Sequence, residues 1–304
     1  MDIGRKVIDL GGEVKTFKTI LIFVLILAGA GGTYYYYDQF NGLKNDQDVE
    51  VSDVEITESK KVVVYGDSRT GHDEHKSIVA EIEKQDPYAV IHTGDLVDDG
   101  DISSEWDTFN EITSELLSDT WFYSALGNHD KNSDNYFSNL VLPGNERYYS
   151  VNIDNVHYTV LDSNYEIGPG SDQYIWAEAD LKNAVTKSDF QVAVLHHPPY
   201  STGGHGDDES GMRDKIVPLL EKYGVDLVFS GHDHSYERAD NNNIVYIVAG
   251  GGGAPLYPQK FEKDYSKKYL ESLNFCVLET DDTDLVMTAY NELSEVIDKI
   301  VIKK

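Results

Sequence analysis

The chain has 304 residues, enough for one large domain or two modest ones with a buried core. Hydrophobic residues make up 40% and charged residues 26%, which excludes a disordered chain, and the single cysteine, Cys276 in the apolar run Phe275–Leu278, excludes an internal disulfide or a CxxC site. The formal net charge is −29, all of it on residues 44–304, where 21 basic groups meet 50 acidic ones; such a surface repels phosphate backbones, so no nucleic-acid partner is expected, and it suits solubility in a salty medium.

The first segment of note is apolar. Every residue from Ile20 to Ala30 is Ile, Leu, Phe, Val, Ala or Gly, and no charge occurs over the 19 residues from Thr19 to Tyr37. That length crosses a bilayer as a helix. Lys15 and Lys18 precede it and Asp38 follows. The charge asymmetry predicts a cytoplasmic tail over 1–18, an N-terminal transmembrane helix over 19–37 and an extracytoplasmic remainder, bound to the cell membrane. A signal peptide cut near Ala28-Gly29-Ala30 is the alternative, and the chain would then be secreted. The polar, acidic stretch 38–59 reads as a linker, and residues 60–304 as one domain.

Beyond residue 60 short apolar runs recur: Val62–Tyr65, Ala89–Ile91, Trp121–Tyr123, Val192–Leu195, Leu227–Phe229 and Ile244–Val248. They read as buried strands. Amphipathic helices lie between several of them: one buries Ile78, Val79 and Ile82, another Trp106, Phe109, Leu116 and Leu117, a third Ile216, Val217, Leu219 and Leu220. Two hairpins are expected, Tyr148 to Leu161 turning at Asp154-Asn155, and Phe275 to Ala289 turning near Asp281-Asp282. Val296 to Ile302 alternates like an edge strand. The pattern is α/β with a mixed sheet.

In such folds ligands gather at the carboxyl ends of strands. Asp67 follows the first run, Asp95 the second, Asn128-His129 the third, His196 the fourth, and His232 and His234 the fifth. A Gly-Asp turn or a lone histidine means little by itself. Five strand ends carrying Asp, Asn and His together point to a metal site. Carboxylates and neutral imidazoles suit Mn²⁺, Fe²⁺ or Zn²⁺. One carboxylate can bridge two divalent metal ions about 3.5–4 Å apart, which acidify a shared water and neutralise a phosphoryl group. Gly250–Gly253 lacks the spacing of a nucleotide-binding loop and reads as a close-approach loop at the cleft mouth.

These residues resemble the calcineurin-like metallophosphoesterase superfamily. Its five blocks appear in order: Gly66-Asp67, Gly94-Asp95-Leu96-Val97-Asp98, Gly127-Asn128-His129-Asp130, His196-His197-Pro198 and Gly231-His232-Asp233-His234. The resemblance implies a four-layer α-β-β-α sandwich. By the same resemblance Asp67 and His234 would bind metal 1, Asp95 would bridge, and Asn128, His196 and His232 would bind metal 2. His129 would contact the phosphate and could serve as a proton donor, oriented by Asp130, with His129 or His205 protonating the leaving oxygen. The chain is most similar to the purple-acid-phosphatase-like branch, which also carries a last block like Gly231–Arg238 and places a histidine where His205 stands, near the leaving group. Two positions depart from the pattern. Asp98 stands where that branch has an iron-ligating tyrosine, so its charge-transfer colour should be missing. Arg69 stands where many members have a metal-binding histidine. A guanidinium cannot ligate, so Arg69 is expected to clamp substrate phosphate, leaving His72 or Asp98 to complete metal 1.

The expected function is hydrolysis of a small phosphate ester, foremost a monoester. A phosphodiester substrate (a cyclic nucleotide or a lipid headgroup) and an inactive metal-binding surface module are the alternatives. Oligomeric state leaves no mark in the sequence.

Overall fold

The computed structural model describes residues 23–26, 34–37, 59–281 and 283–304. In the N-terminal unit, β1 (Phe23–Ile26) pairs antiparallel with β2 (Tyr34–Tyr37). Where a membrane helix over 19–37 is expected, these eight residues are therefore strand. Apolar β-formers on either side of Gly29, Gly31 and Gly32 suit a hairpin as readily as a span. The other residues of the tail, the anchor and the linker lie outside the described residues, except Ser59. No helix among the described residues is long and apolar enough to cross a membrane.

Residues 59–304 form the second compact unit. Its first half runs β3 (Val62–Tyr65), α1 (His72–Glu83), β4 (Ala89–His92), α2 (Ser103–Thr113), α3 (Leu116–Asp119), β5 (Trp121–Ser124), α4 (Asp134–Asn139), β6 (Tyr149–Ile153) and β7 (Val156–Val160). There follow α5 (Asp172–Ala184), β8 (Phe190–Val194), α6 (Met212–Lys215), α7 (Val217–Tyr223), β9 (Leu227–Ser230), β10 (Tyr236–Asn241) and β11 (Ile244–Ala249). The chain ends with β12 (Ser266–Leu270), β13 (Phe275–Thr280), β14 (Asp284–Tyr290) and β15 (Val296–Lys303).

Two mixed sheets result. One has six strands in the order β15-β14-β13-β3-β4-β5, the other seven in the order β12-β10-β11-β9-β8-β7-β6. Strands β3, β4 and β5 run parallel, as do β7, β8, β9 and β11; hairpin partners add the antiparallel edges. Side-chain alternation explains the layering. Val62 and Val64 face a core shared with Val192, Val194, Leu227 and Phe229 of the other sheet, while Val63 and Tyr65 face Ile78, Val79 and Ile82 of α1. Ala193, Leu195 and Val228 turn outward onto Leu181 of α5 and Leu219 and Leu220 of α7. Helices thus cover both outer faces of two packed sheets, and strands buried on both sides read as unbroken apolar runs.

Some elements differ from expectation. The helix expected from Trp106 to Leu117 breaks into α2 and α3, because Thr113 and Ser114 bond back onto the Phe109 and Glu111 carbonyls (2.8 and 3.0 Å). The β6–β7 turn, in contrast, falls at Asp154-Asn155 as expected, with Asp154 at a φ of 51°. Of the Asp281-Asp282 turn only Asp281 is described.

One carboxylate ties the sheets at their far edge. Asp298 of β15 accepts from Tyr236 Oη (2.9 Å) and Arg238 Nε (2.8 Å), both on β10. Burial alone would raise its pKa; the two donors outweigh burial and hold it below the usual carboxylate range. A depressed folded pKa stabilises above the unfolded value near 3.9 and is lost as pH falls through the folded one. Asp298→Ala should lower unfolding free energy by about 2 kcal/mol at pH 7. Urea titrations should show the gap to the unaltered chain narrowing below about pH 4.

Candidate metal centre

Loops leaving β3, β4, β5, β8 and β9 meet at one edge of the two sheets. Backbone bonds set their spacing: Asp67 N donates to Gly94 O (3.0 Å), Ala125 N to His92 O (2.9 Å) and Gly231 N to His196 O (3.0 Å). Carboxylates then join loop to loop. Asp67 accepts from His232 N through both oxygens (3.1 and 3.0 Å), and Asp95 Oδ1 from His129 N (2.9 Å). Asp67, Asp95 and His232 all sit on left-handed backbone, with φ of 58°, 57° and 67°. Few non-glycine residues adopt that region, Asp and His among those that tolerate it best, and the surroundings must hold them there. Close approach demands glycine at 94, where a Cβ would lie 2.7 Å from His196 Nδ1.

The donor atoms converge. Asn128 Oδ1 lies 3.0 Å from both His196 Nε2 and His232 Nδ1; those nitrogens are 3.3 Å apart, and His196 Nε2 is 3.4 Å from Asp95 Oδ1. Donors held at about 2.1 Å on one ion are spaced about 3.0–3.4 Å from each other. Tautomers sharpen the point. His196 Nδ1 donates to Thr93 O (3.0 Å), which leaves a lone pair on Nε2. His234 Nδ1 donates to Pro255 O (2.8 Å); its buried Nε2 has no hydrogen-bond partner and lies 3.7 Å from Asp67 Oδ1. Lone pairs facing carboxylate oxygens repel unless a cation lies between them. The residues therefore fit a binuclear metal centre. Among the described residues, three trios hold ligand atoms within 4.8 Å of one another: Asp67–Asp95–His196, His196–His197–His232 and His205–Glu209–His232.

Without the ions, the electrostatics oppose charge. Burial, then the neighbouring Asp95, pushes Asp67 up, and burial raises Asp95. Burial drives His196 far down, His232 to about 2 and His234 to about 4. Bound cations reverse this logic for the carboxylates and demand the neutral imidazoles that burial already favours.

The rim residues fall as follows. Arg69 bonds Asp98 Oδ1 (2.6 Å) through Nη1 and holds Nε 3.4 Å from Asp95 Oδ2. His129 Nδ1 donates to Asp98 O (2.7 Å). His205 stacks on His232 at 4.0 Å between centroids and bonds Asp233 through Nδ1 (3.2 Å); that hydrogen bond raises its pKa. Gly250–Gly253 lies against the end of β3, with Gly252 N on Gly66 O (2.8 Å).

Asp130 corrects an expectation. It does not touch the His129 ring; it is fully buried and accepts from the backbone N–H of Asp95 (2.9 Å), Leu96 (2.8 Å) and Gly127 (2.9 Å). His72 is exposed and Asp98 is committed to Arg69, and neither joins a ligand trio among the described residues.

Sequence reasoning missed four neighbours. His197 lies 4.5 Å from the His232 ring and Tyr257 stacks on His234 at 4.3 Å. Glu209 Oε2 sits 3.5 Å from His232 Nε2, and Asp233 holds His205. His197 and Asp233 stand inside quoted motifs; Tyr257 and Glu209 come from loops with no local signal.

Comparisons with known proteins agree with this geometry. The profile of the calcineurin-like phosphoesterase family matches residues 60–236, more than half of the chain. The probable purple acid phosphatase 20 of Arabidopsis thaliana is 33% identical over 248 residues, covering 73% of this chain and 58% of that protein. Purple acid phosphatase 18 of the same plant is 32% identical over 191 residues, 55% of this chain and 44% of that one. The chain thus spans about half the length of these curated relatives. Among solved structures, a purple acid phosphatase from yellow lupin (Lupinus luteus) seeds shares the fold, with a TM-score of 0.74 at 21% identity over 82% of this chain and 54% of that one.

Asp130→Ala would strand the backbone N–H groups of Asp95, Leu96, Val97 and Gly127. Unfolding free energy should drop by about 3 kcal/mol. Elemental analysis should find less metal bound per folded chain.

Proposed function

Because the chain belongs to the calcineurin-like phosphoesterase family, we propose that it hydrolyses phosphate monoesters at a two-metal centre built from Asp67, Asp95, Asn128, His196, His232 and His234. The observation that supports this reading is the set of buried lone pairs aimed at one another. Asp67, Asp95 and His234 would hold one cation, and Asp95, Asn128, His196 and His232 the other. Bound there, two divalent ions (Mn²⁺, Fe²⁺ or Zn²⁺) supply Lewis acidity that neutralises phosphoryl charge and acidifies water.

The chain's own residues do the rest. Arg69 stands beside Asp95 with guanidinium donors beyond the one given to Asp98, suited to a phosphoryl oxygen. His129, pinned through Nδ1 to Asp98 O, keeps its opposite nitrogen for a phosphoryl oxygen. His205 is partly exposed next to His232, within reach of a leaving oxygen. The names of the curated relatives support a monoester.

Asp95→Asn and His232→Ala should each abolish turnover of 4-nitrophenyl phosphate by the metal-loaded chain. Chelation should do the same, with recovery on adding Mn²⁺, Fe²⁺ or Zn²⁺. Full turnover in either variant would refute the assignment. Faster turnover of bis(4-nitrophenyl) phosphate would replace the monoester by a diester, and metal binding without hydrolysis of either would leave a surface module.

We also place residues 60–304 outside the cytoplasm, directed there by the apolar run 19–37. Protease added to intact cells should remove the domain; a domain protected until lysis would contradict this placement.

A further inference from the structure

The open space at the candidate centre runs on past the ligands. A cavity of about 330 Å³ is lined by Asn128, one of the proposed ligands, and by Tyr165. A second, of about 670 Å³, adjoins it through the shared residues Arg147 and Tyr165 and reaches Tyr148 and Gln173. Both volumes lie in the range of about 300–1,000 Å³ in which pockets take small molecules. Tyr165 stands where the two meet. It is 61% exposed and joins none of the apolar clusters among the described residues, so packing gives no reason for a large ring there. Yet the ring is held. The Arg147 guanidinium covers one face, 4.4 Å from the ring centroid, and Arg147 is itself fixed by Nε and Nη2 on buried Asp162 Oδ2 (3.0 and 2.7 Å). The backbone before Tyr165 is fastened too. Asn164 donates through Nδ2 to Leu126 O (2.7 Å), two residues ahead of Asn128, and through its backbone N to Asp162 Oδ1 (3.0 Å). Gln173 closes the loop, with Oε1 on Asp162 N (2.7 Å) and Nε2 on Asp162 O (3.0 Å). A tyrosine supported in this way loses little freedom when a second ring stacks on its open face.

Charge narrows the occupant. The only cations lining the two cavities are Arg147, taken by Asp162, and Lys131, taken by Asp99 and Asp101, while Glu166 and Asp172 line the outer one. No free cation is left for a second phosphate, and an uncharged group is favoured beyond the first. Resting on the phosphoesterase reading above, we propose that Tyr165, backed by Arg147, is a specificity-determining ring platform: the site selects monoesters whose alcohol carries an uncharged, flat aromatic ring a short linker away from the ester oxygen, as nucleosides and arylalkyl alcohols do. Asn128 and Tyr165 line the same inner cavity, so a phosphoryl group at the first and a ring on the second share one space, joined by that linker. The polar groups of Gln173 and Asn145 in the outer cavity suit the edge of a ring that carries nitrogen or oxygen.

The test uses the full chain, metal-loaded, on adenosine 5′-monophosphate, on benzyl phosphate and, as the ester without an aromatic ring, on ribose 5-phosphate. At least one ring ester should be turned over with a kcat/KM about tenfold above that of ribose 5-phosphate. Tyr165→Ala should raise KM for that ester about tenfold relative to KM for ribose 5-phosphate, with the change in KM rather than kcat. Tyr165→Trp, which keeps a flat ring, should restore the preference. Arg147→Lys, which keeps the charge beside Asp162 but removes the flat guanidinium from the ring, should show the same shift in weaker form. The ring that responds more, adenine or phenyl, names the source. A second measurement needs neither metal nor turnover: saturation-transfer NMR of the metal-free chain should mark the ring protons of adenosine or of benzyl alcohol, and Tyr165→Ala should erase that signal. Equal KM shifts on all three esters, no preference for either ring ester, or ring protons marked as strongly in Tyr165→Ala would overturn the proposal. No metal-stimulated turnover of any of the three esters, with ring protons still marked in the unaltered chain, would instead overturn the phosphoesterase reading while the ring contact stands.

Discussion

Lone pairs of buried carboxylate, amide and imidazole groups brought within hydrogen-bond distance of one another are the constraint on which this structure rests. His196 Nε2, His232 Nδ1, Asn128 Oδ1 and Asp95 Oδ1 crowd one point, and His234 Nε2 faces Asp67 across a short gap. Nothing in the packing requires these groups to meet. His196 and His234 have their Nδ1–H tied to backbone carbonyls, which leaves the lone pair on Nε2 facing the cluster. The chain accepts this repulsion, together with left-handed backbone at Asp67, Asp95 and His232. Strain of this kind persists where the surroundings over-determine it. Here the surroundings are two parallel strand sets and the buried Asp130, which gathers the N–H groups of the Asp95 and Gly127 turns.

Chemistry divides between a rigid floor and a mobile-proton rim. Floor residues end buried strands and have neutral or coordinating forms favoured by low dielectric. Rim residues Arg69, His129 and His205 keep solvent access and each touches a carboxylate or carbonyl that orients it. Against the strongly acidic composition these cationic or cationisable groups gather at the rim of the candidate centre, where they would favour an anionic ligand.

Legibility in the sequence followed burial. Val62–Tyr65 and Leu227–Phe229 announce strands because both faces are covered, so no polar residue interrupts them. Tyr236–Asn241 hides its strand: Glu237 is fully buried, yet its partners are hydroxyls from Thr202 and Ser266, far away in the chain. Ser266–Leu270 is an edge strand, polar for the same reason that edges often are. The six proposed ligands were readable because each follows a strand's end, five of them beside glycine or histidine and His234 two residues after His232. Asp130 misleads because adjacency to His129 suggests contact, whereas the turn sends its side chain inward to amides. Asp233 sat in plain view between two histidines, but its partner lies 28 residues earlier in a glycine-flanked loop.

The ligands are shared between the sheets: Asp67, Asp95 and Asn128 hang from the six-stranded one, His196, His232 and His234 from the seven-stranded one. Any ion they hold in common is a rivet through the sandwich. At that margin the two halves of the molecule otherwise present matching negative and lone-pair surfaces. Occupancy and cohesion are therefore one equilibrium, since whatever binds only the folded form stabilises it in proportion to the logarithm of its concentration over its dissociation constant. Scarcity of metal in the surroundings would then govern how long the folded chain survives as well as how fast it works.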